Sequence, residues 1–314
     1  MKHFKQILFI FASLFFMQSA VASSWLPQPT KISEHAWAWI GPYEAPNKHN
    51  RGYRMNLGFV IGKTSVAIID SGYSAAMANE MVRHIRGITP LPVRYVINTN
   101  SQPHRYFGND VFKAMGAEII AAKEAATRMH NEGNQFASNI ARAIELKQES
   151  VKVPTAPTRL IEANKNLVLD LGGVSLTVTH FGQTHTRGSL IAEVTPDQTV
   201  FAGDILYSGR LLAVLTDSSV TGWIAAYEKL RTLPAKIFVP GHGPASALSE
   251  FDGPTYEYLT ALKAHMNKAV EEGIDASTAS SEFDTTKWQQ LANFAELAGR
   301  NASLTYLESE SENF

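Results

Sequence analysis

The chain has 314 residues, of which 45% are hydrophobic, enough to bury a large core in one α/β domain or two small ones. Its 28 basic and 29 acidic residues leave a formal net charge of −1, and no basic cluster stands out, which argues against a nucleic-acid partner. Cysteine is absent, which excludes disulfides, thiolate nucleophiles, thiolate metal ligands and a lipidated N-terminal cysteine.

The chain opens on a targeting signal. Lys2 and Lys5 give a positive start, Ile7 to Met17 is almost entirely apolar, and Ala20-Val21-Ala22 supplies small residues where a signal peptidase cuts. The apolar run is shorter than the ~20 residues of a membrane span. Residues 1–22 therefore read as a cleaved signal peptide, with a periplasmic or secreted mature chain that has no membrane span. Residues 23–310 show no composition shift and read as one domain.

Short strand-like runs follow at Ala36–Ile40, Met55–Ile61 and Ser65–Ile69, the last ending in Asp70-Ser71-Gly72. Apolar residues at helical spacing predict a helix over Ser74–Arg86. Val93–Ile97 reads as a buried strand running into Asn98-Thr99. A helix is expected at Asp110–Met115, a strand at Glu118–Ala121 and a helix from Lys123 to about Glu149. Leu167–Leu171 and Val174–Phe181 read as a hairpin around Gly172-Gly173. Strands are expected at Leu190–Val194, Thr199–Ala202 and Ile237–Val239, with a helix over Gly222–Leu233 between the last two. Two final helices are read at Pro254–Gly273 and Thr286–Leu297, and the Glu- and Ser-rich end is expected to fray. Strands followed by helices in both halves predict two packed β-sheets with helices outside.

The polar residues hardest to explain structurally sit in loops at strand ends, where sites are built. His185 lies just beyond a strand in Gln183–Gly188. Asp204 follows the apolar run Val200–Gly203. His242 stands between two glycines that let the backbone turn sharply. Each alone suits a hydrogen-bonded loop residue or a cap; three at successive strand ends favour a ligand set over that reading.

Asp70-Ser71-Gly72, Asn98-Thr99 with Gly108-Asn109, Thr184-His185-Thr186, Gly203-Asp204 and Pro240-Gly241-His242-Gly243 resemble, in order, the motifs of the metallo-β-lactamase superfamily. The segments Gly41–Val60 and Asn301–Glu308 are most similar to its exported, quinoprotein-associated hydrolases. The resemblance implies an αββα sandwich, one or two zinc ions between the sheets, and hydrolysis of a small-molecule substrate by metal-activated water. It also implies that Asp70 buttresses the site through hydrogen bonds rather than binding metal.

The family's first ligand loop reads His-x-His-x-Asp-His between Asn-Thr and Gly-Asn. Here the same frame holds Asn100, Gln102, His104 and Arg105 at those four positions, with both flanks at the family's spacing. Neutral amide oxygens are poor zinc ligands, so a site built on Asn100, Gln102 and His185 should be weak or empty. His104, Asp204 and His242, with His185 nearby, remain as ligands for one zinc, or less readily iron, with Asn100, Gln102 or Arg105 left to contact substrate. Arg105 carries a rival expectation: a permanent cation can pair with Asp204 and fill the site without metal, leaving a silent binding or scaffold protein of the same fold.

Overall fold

The apolar runs bounded by turn residues become the inner strands of two sheets. The computed structural model describes residues 24–313, so the signal peptide read at residues 1–22 lies outside the described residues. The first half forms β1 (Thr30–Lys31), β2 (Ala36–Trp39), β3 (Leu57–Ile61), β4 (Val66–Ile69), α1 (Ala75–Ile88), β5 (Val93–Ile97), α2 (Pro103–Tyr106), α3 (Asn109–Ala114), β6 (Glu118–Ala122), α4 (Lys123–Ala143) and β7 (Arg159–Ile161). The second forms β8 (Asn166–Asp170), β9 (Ser175–His180), β10 (Leu190–Val194), β11 (Thr199–Tyr207), α5 (Val220–Arg231), β12 (Ile237–His242), α6 (Tyr258–Glu271), α7 (Ala276–Glu282) and α8 (Phe294–Asn313).

Strands β1 to β7 build one sheet in sequence order, antiparallel up to β4 and parallel from β4 to β7. The second sheet runs β12-β11-β10-β9-β8, with β11 and β12 parallel. Every residue of β4 is buried, as expected of a strand covered on both faces, whereas β9 alternates between buried and half-buried. Phe59, Ile68, Val96 and Ile120 of the first sheet share a core with Val178, Leu190 and Phe201 of the second, which is the expected sandwich. Met77, Met81 and Ile85 seal α1 onto this core, and Ser74 caps the helix by accepting from Met77 N. Trp223, Tyr227 and Leu262 cover the other face of the second sheet, giving the αββα layering.

Several expectations are corrected. The helix begun at Lys123 ends at Ala143, because Glu145 takes a left-handed φ of 54° and Leu146 N turns back to Ala141 O at 2.8 Å. Strand β11 does not stop at Ala202; it continues to Tyr207 through a register irregularity at Gly203, so Asp204 lies within a strand. Helix α7 was not foreseen. The last helix begins at Phe294, not Thr286, because Trp288 is pinned by donating Nε1–H to Gly253 O.

The Glu- and Ser-rich end is not frayed either. Helix α8 runs to Asn313 and places the Glu308 carboxylate on the start of α5, where it accepts from Val220 N at 2.8 Å, Thr221 N at 3.2 Å and Ser219 Oγ at 2.9 Å. A carboxylate there satisfies orphan N–H groups and meets the positive end of the helix dipole. Glu308→Ala is expected to cost about 1 kcal/mol in urea denaturation. The exposed neighbour Glu310→Ala should change it by a few tenths at most.

Candidate metal centre

The motif frame closes on itself through side-chain amides. Asn98 Nδ2 donates to Asn109 Oδ1 at 3.0 Å, and Asn109 Nδ2 returns a bond to Asn98 Oδ1 at 2.8 Å. Ser71 Oγ also reaches Asn109 Oδ1, while Asn98 Nδ2 and Ser71 N both donate to Arg105 O. The loop between is thereby held to β4 and β5 whatever its ligand positions carry. Gln102 precedes the single turn of α2, whose first residue is Pro103, so His104 and Arg105 leave that turn into the space between the sheets.

Arg105 sits at the centre. Its Nε and Nη2 form a fork on Asp204 Oδ2 and Oδ1. Nη1 donates to Asp70 Oδ2 at 3.1 Å and Asn56 O at 2.8 Å, and Nη2 also donates to Gly241 O at 3.2 Å. All five guanidinium N–H groups are thus committed to protein acceptors. Of the two expectations for Arg105, contact with substrate and a pair with Asp204, the structure shows the pair, and no N–H is left over. Any side chain at Gly241 would drive a Cβ to 2.2 Å from Asp204 Oδ1, so only glycine lets the pair close.

Asp70 holds a left-handed φ of 62° at the end of β4 and accepts from Thr99 N at 2.7 Å and from Thr99 Oγ1. It touches Arg105 and is absent from the ligand cluster, the buttressing place implied by the resemblance. Burial pushes its carboxyl up to about 6 against the pull of Arg105 and Thr99. Burial would raise Asp204 too, but Arg105, with His104 and His185, holds it well below the usual carboxylate range.

Three imidazoles face Asp204. His242 Nε2 lies 3.5 Å from Oδ1, His104 Nε2 3.5 Å from Oδ2 and His185 Nε2 4.0 Å from Oδ2. His185 Nδ1 is 2.9 Å from Ala213 O, and His242 Nδ1 is 2.9 Å from Arg54 O. A carbonyl only accepts, so each Nδ1 carries the proton and each Nε2 of the neutral ring presents a lone pair to the carboxylate. Burial keeps the rings neutral, lowering His104 and His185 to about 4, and His242 is held down by burial and by Arg210.

This donor set fits one metal ion. Ligating atoms of His104, Asp204 and His242 lie within 4.8 Å of one another, and His104 Nε2 is buried without a hydrogen-bond partner. His185 stands outside that group of three. Among the described residues of this centre, a second ion has no comparable set. Asn100 Oδ1 accepts from Gln102 N at 2.8 Å, which turns its Nδ2 to donate to Asp204 Oδ2 at 2.8 Å. It therefore offers the centre N–H groups, not a ligand oxygen. The Gln102 side chain makes no hydrogen bond among the described residues and is half-buried at the same edge.

Asn301, noted in the sequence only within a segment of resemblance, is fully buried and brackets the segment after β11. Its Nδ2 donates to Leu212 O, and its Oδ1 accepts from Val214 N. Ala213, whose carbonyl orients His185, lies between them. Asn56 is similarly placed, tying Gly41, Pro240 and Gly243 together while its own carbonyl receives Arg105.

A family model for the metallo-beta-lactamase superfamily matches residues 53–242. Acyl-coenzyme A thioesterase MBLAC2 of Gallus gallus is 31% identical over 93 residues, 28% of this chain and 32% of that protein. Its Homo sapiens counterpart is 30% identical over 106 residues, 32% of this chain and 35% of that protein. The matched stretch spans about a third of the length of these curated relatives. Among solved structures, a metallo-beta-lactamase from Pontibacter korlensis aligns with a TM-score of 0.59 at 19% identity, over 74% of this chain and 98% of its own. TMB-1 aligns at 0.58 and 17% identity, over 74% and 96%. Both share the fold. With the family model matching more than half of its length, the chain belongs to the metallo-beta-lactamase superfamily.

Proposed function

We propose that the chain is an exported, metal-dependent hydrolase with one altered metal site, acting on a small ester, amide or thioester. The observation that carries this reading is the set of neutral imidazole Nε2 atoms turned on one carboxylate, with that of His104 buried and unpartnered. Lone pairs facing a carboxylate repel unless a cation or a proton lies between them, and the backbone carbonyls that take the Nδ1–H of His185 and His242 supply the outer support ligating histidines use. A bound zinc, or less readily iron, supplies Lewis-acid polarisation and water activation. The residues of the chain then have separate tasks. His104, Asp204 and His242 hold the ion, Asp70 and Arg105 fix Asp204, and Gln102 is the amide left to meet substrate. The thioesterase relatives favour the thioester within this class. Export rests on the leader at residues 1–22 and on the segments that resemble exported quinoprotein-associated hydrolases.

The test is the metal content of protein purified without chelator. About one zinc or iron per chain is expected, lost in His242→Ala and in His104→Ala. Wild-type protein that carries no metal and gains no thermal stability from added zinc would sink the hydrolase reading. A second reading, a metal-free binding or scaffold protein, is favoured by one observation: the five committed N–H groups of Arg105, which neutralise Asp204 without an ion.

A further inference from the structure

A cavity of about 720 Å³ lies beside α2, and none of the residues that surround Asp204 lines it. Buried Phe107, the C-terminal cap of α2, and buried Ile144, just past α4, form part of its wall. Leu146, 47% exposed, and half-buried Val151 belong to the same wall. The first turn of α1 adds the exposed methyl groups of Ala75 and Ala76. A lone exposed leucine needs no explanation. Here it belongs to a concave apolar surface of the size that takes a small molecule, about 300–1,000 Å³.

Around this surface stand Lys48, Arg51 and Lys152 against Asp110 and Glu145. Both carboxylates are engaged. Glu145 pairs with Lys48 at 3.1 Å, and Asp110 Oδ1 accepts from Thr155 N at 2.9 Å and Thr155 Oγ1 at 2.7 Å. Arg51 and Lys152 make no ion pair within 4.0 Å among the described residues. The first turn of α1 holds no acidic residue, so the positive end of its dipole adds to these cations. The placing of Arg51 is costly. It has a left-handed φ of 50°, Gly52 follows at 83°, and Tyr53 N closes the turn on Asn50 O at 2.8 Å. Such a turn favours asparagine or glycine where Arg51 stands. A Cβ on Gly52 would meet the Tyr73 ring at 2.0 Å, so the turn is seated on the residue before the cap of α1. An arginine kept there against its backbone preference points to a use for its charge.

We infer that this cavity binds an amphipathic anion, an aliphatic chain lying against Phe107, Ile144 and Leu146 with a terminal carboxylate or phosphate at Arg51 and Lys152. The planar fork of an arginine matches either head group. A second copy of the chain fits less well, because a symmetric pair meeting on this face would bring its unpaired cations together. The site stands apart from the metal centre and needs no metal.

The experiment titrates the protein calorimetrically with sodium decanoate and with decyl phosphate, below the concentrations at which either aggregates. The tighter of the two assigns the head group. One molecule per chain is expected, with octanoate bound roughly tenfold more weakly than decanoate for its two lost methylenes. Ala76→Trp fills the cavity from an exposed position and should weaken decanoate by about tenfold or more. If that variant does not fold, Leu146→Asp, on an exposed side chain, should do the same. Arg51→Asn keeps a residue suited to the left-handed turn. Combined with Lys152→Ala, it should weaken decanoate several-fold and leave binding of 1-decanol unchanged. Affinity should be the same in chelator-treated protein and in protein loaded with zinc and freed of excess metal. No binding of either amphiphile by wild type overturns the inference, as does full affinity in Ala76→Trp or Leu146→Asp. An equal loss of 1-decanol in the double variant overturns the head-group contact. A change of more than about tenfold on zinc loading would put the ligand in the metal centre and overturn a separate site. Sedimentation decides the remaining occupant: a dimer that Leu146→Asp separates, without amphiphile binding, gives this face to a second copy and refutes the inference.

Discussion

Replacing Arg105 by alanine is expected to lower the unfolding free energy by about 3–5 kcal/mol, measured by urea denaturation at pH 7 in the presence of chelator. The guanidinium is 1% exposed and bridges Asp204 and Asp70, so its loss leaves two buried carboxylates without a countercharge and strips two backbone carbonyls, Asn56 O and Gly241 O, of a donor. Arg105→Lys should recover only part of the loss, because an ammonium cannot span the fork on Asp204 and reach Asp70 together. Zinc then separates the two functional readings. If the centre is a metal site with an internal cation beside it, removing that cation relieves repulsion, and added zinc should restore much of the lost stability. A scaffold whose Asp204 is reserved for Arg105 predicts no rescue.

The sequence carried the frame of this centre better than its contents. Asn98 and Asn109 sit at a fixed spacing around the ligand loop, and the structure shows why that spacing persists: their amides bond each other and leave the four positions between them free to change. The Arg105–Asp204 pair was also legible, because a permanent cation at a ligand position beside a carboxylate has few other partners. Asn100 was not. An amide can present oxygen or nitrogen, and only the bond from Gln102 N decides which.

The misread elements have equally local causes. Composition made Lys123–Glu149 look continuous, but a single left-handed residue at Glu145 ended the helix. Glu308 looked like part of a frayed acidic end because its partner, the start of α5, is nearly ninety residues away in the chain. Helix α8 is weakly patterned, and what holds it is specific: Asn301 against the segment after β11 and Glu308 against α5. Those contacts place Ala213 O against His185, so the far end of the chain helps set a ring that faces Asp204.

Acid should unfold this protein early, between about pH 6.5 and 4. His104 and His185, lowered to about 4, and His242, lowered further by burial and Arg210, bind no proton in the fold at pH 5, whereas in the unfolded chain they titrate near their ordinary value. Unfolding therefore takes up protons across that window, and stability rises with pH there; it is fully present above the unfolded imidazole pKa and is lost as pH falls toward the folded values. Asp70 works in the opposite direction, because its folded pKa of about 6 lets it take a proton before the unfolded chain does. Asp204, held low, contributes stability that is lost only in stronger acid. Three imidazoles against one carboxyl leave a net uptake near two protons, or roughly 3 kcal/mol lost between pH 6.5 and 5 at about 1.4 kcal/mol per proton and pH unit. Urea midpoints at half-unit steps of pH measure the slope. His104→Asn and His185→Asn should each flatten it by about one proton's share, and an unchanged slope in both variants would mean that these rings are not held neutral in the fold. A bound ion would steepen the same slope, since protons and metal compete for the same Nε2 lone pairs. Repeating the series with and without chelator therefore reports occupancy of the centre independently of any substrate.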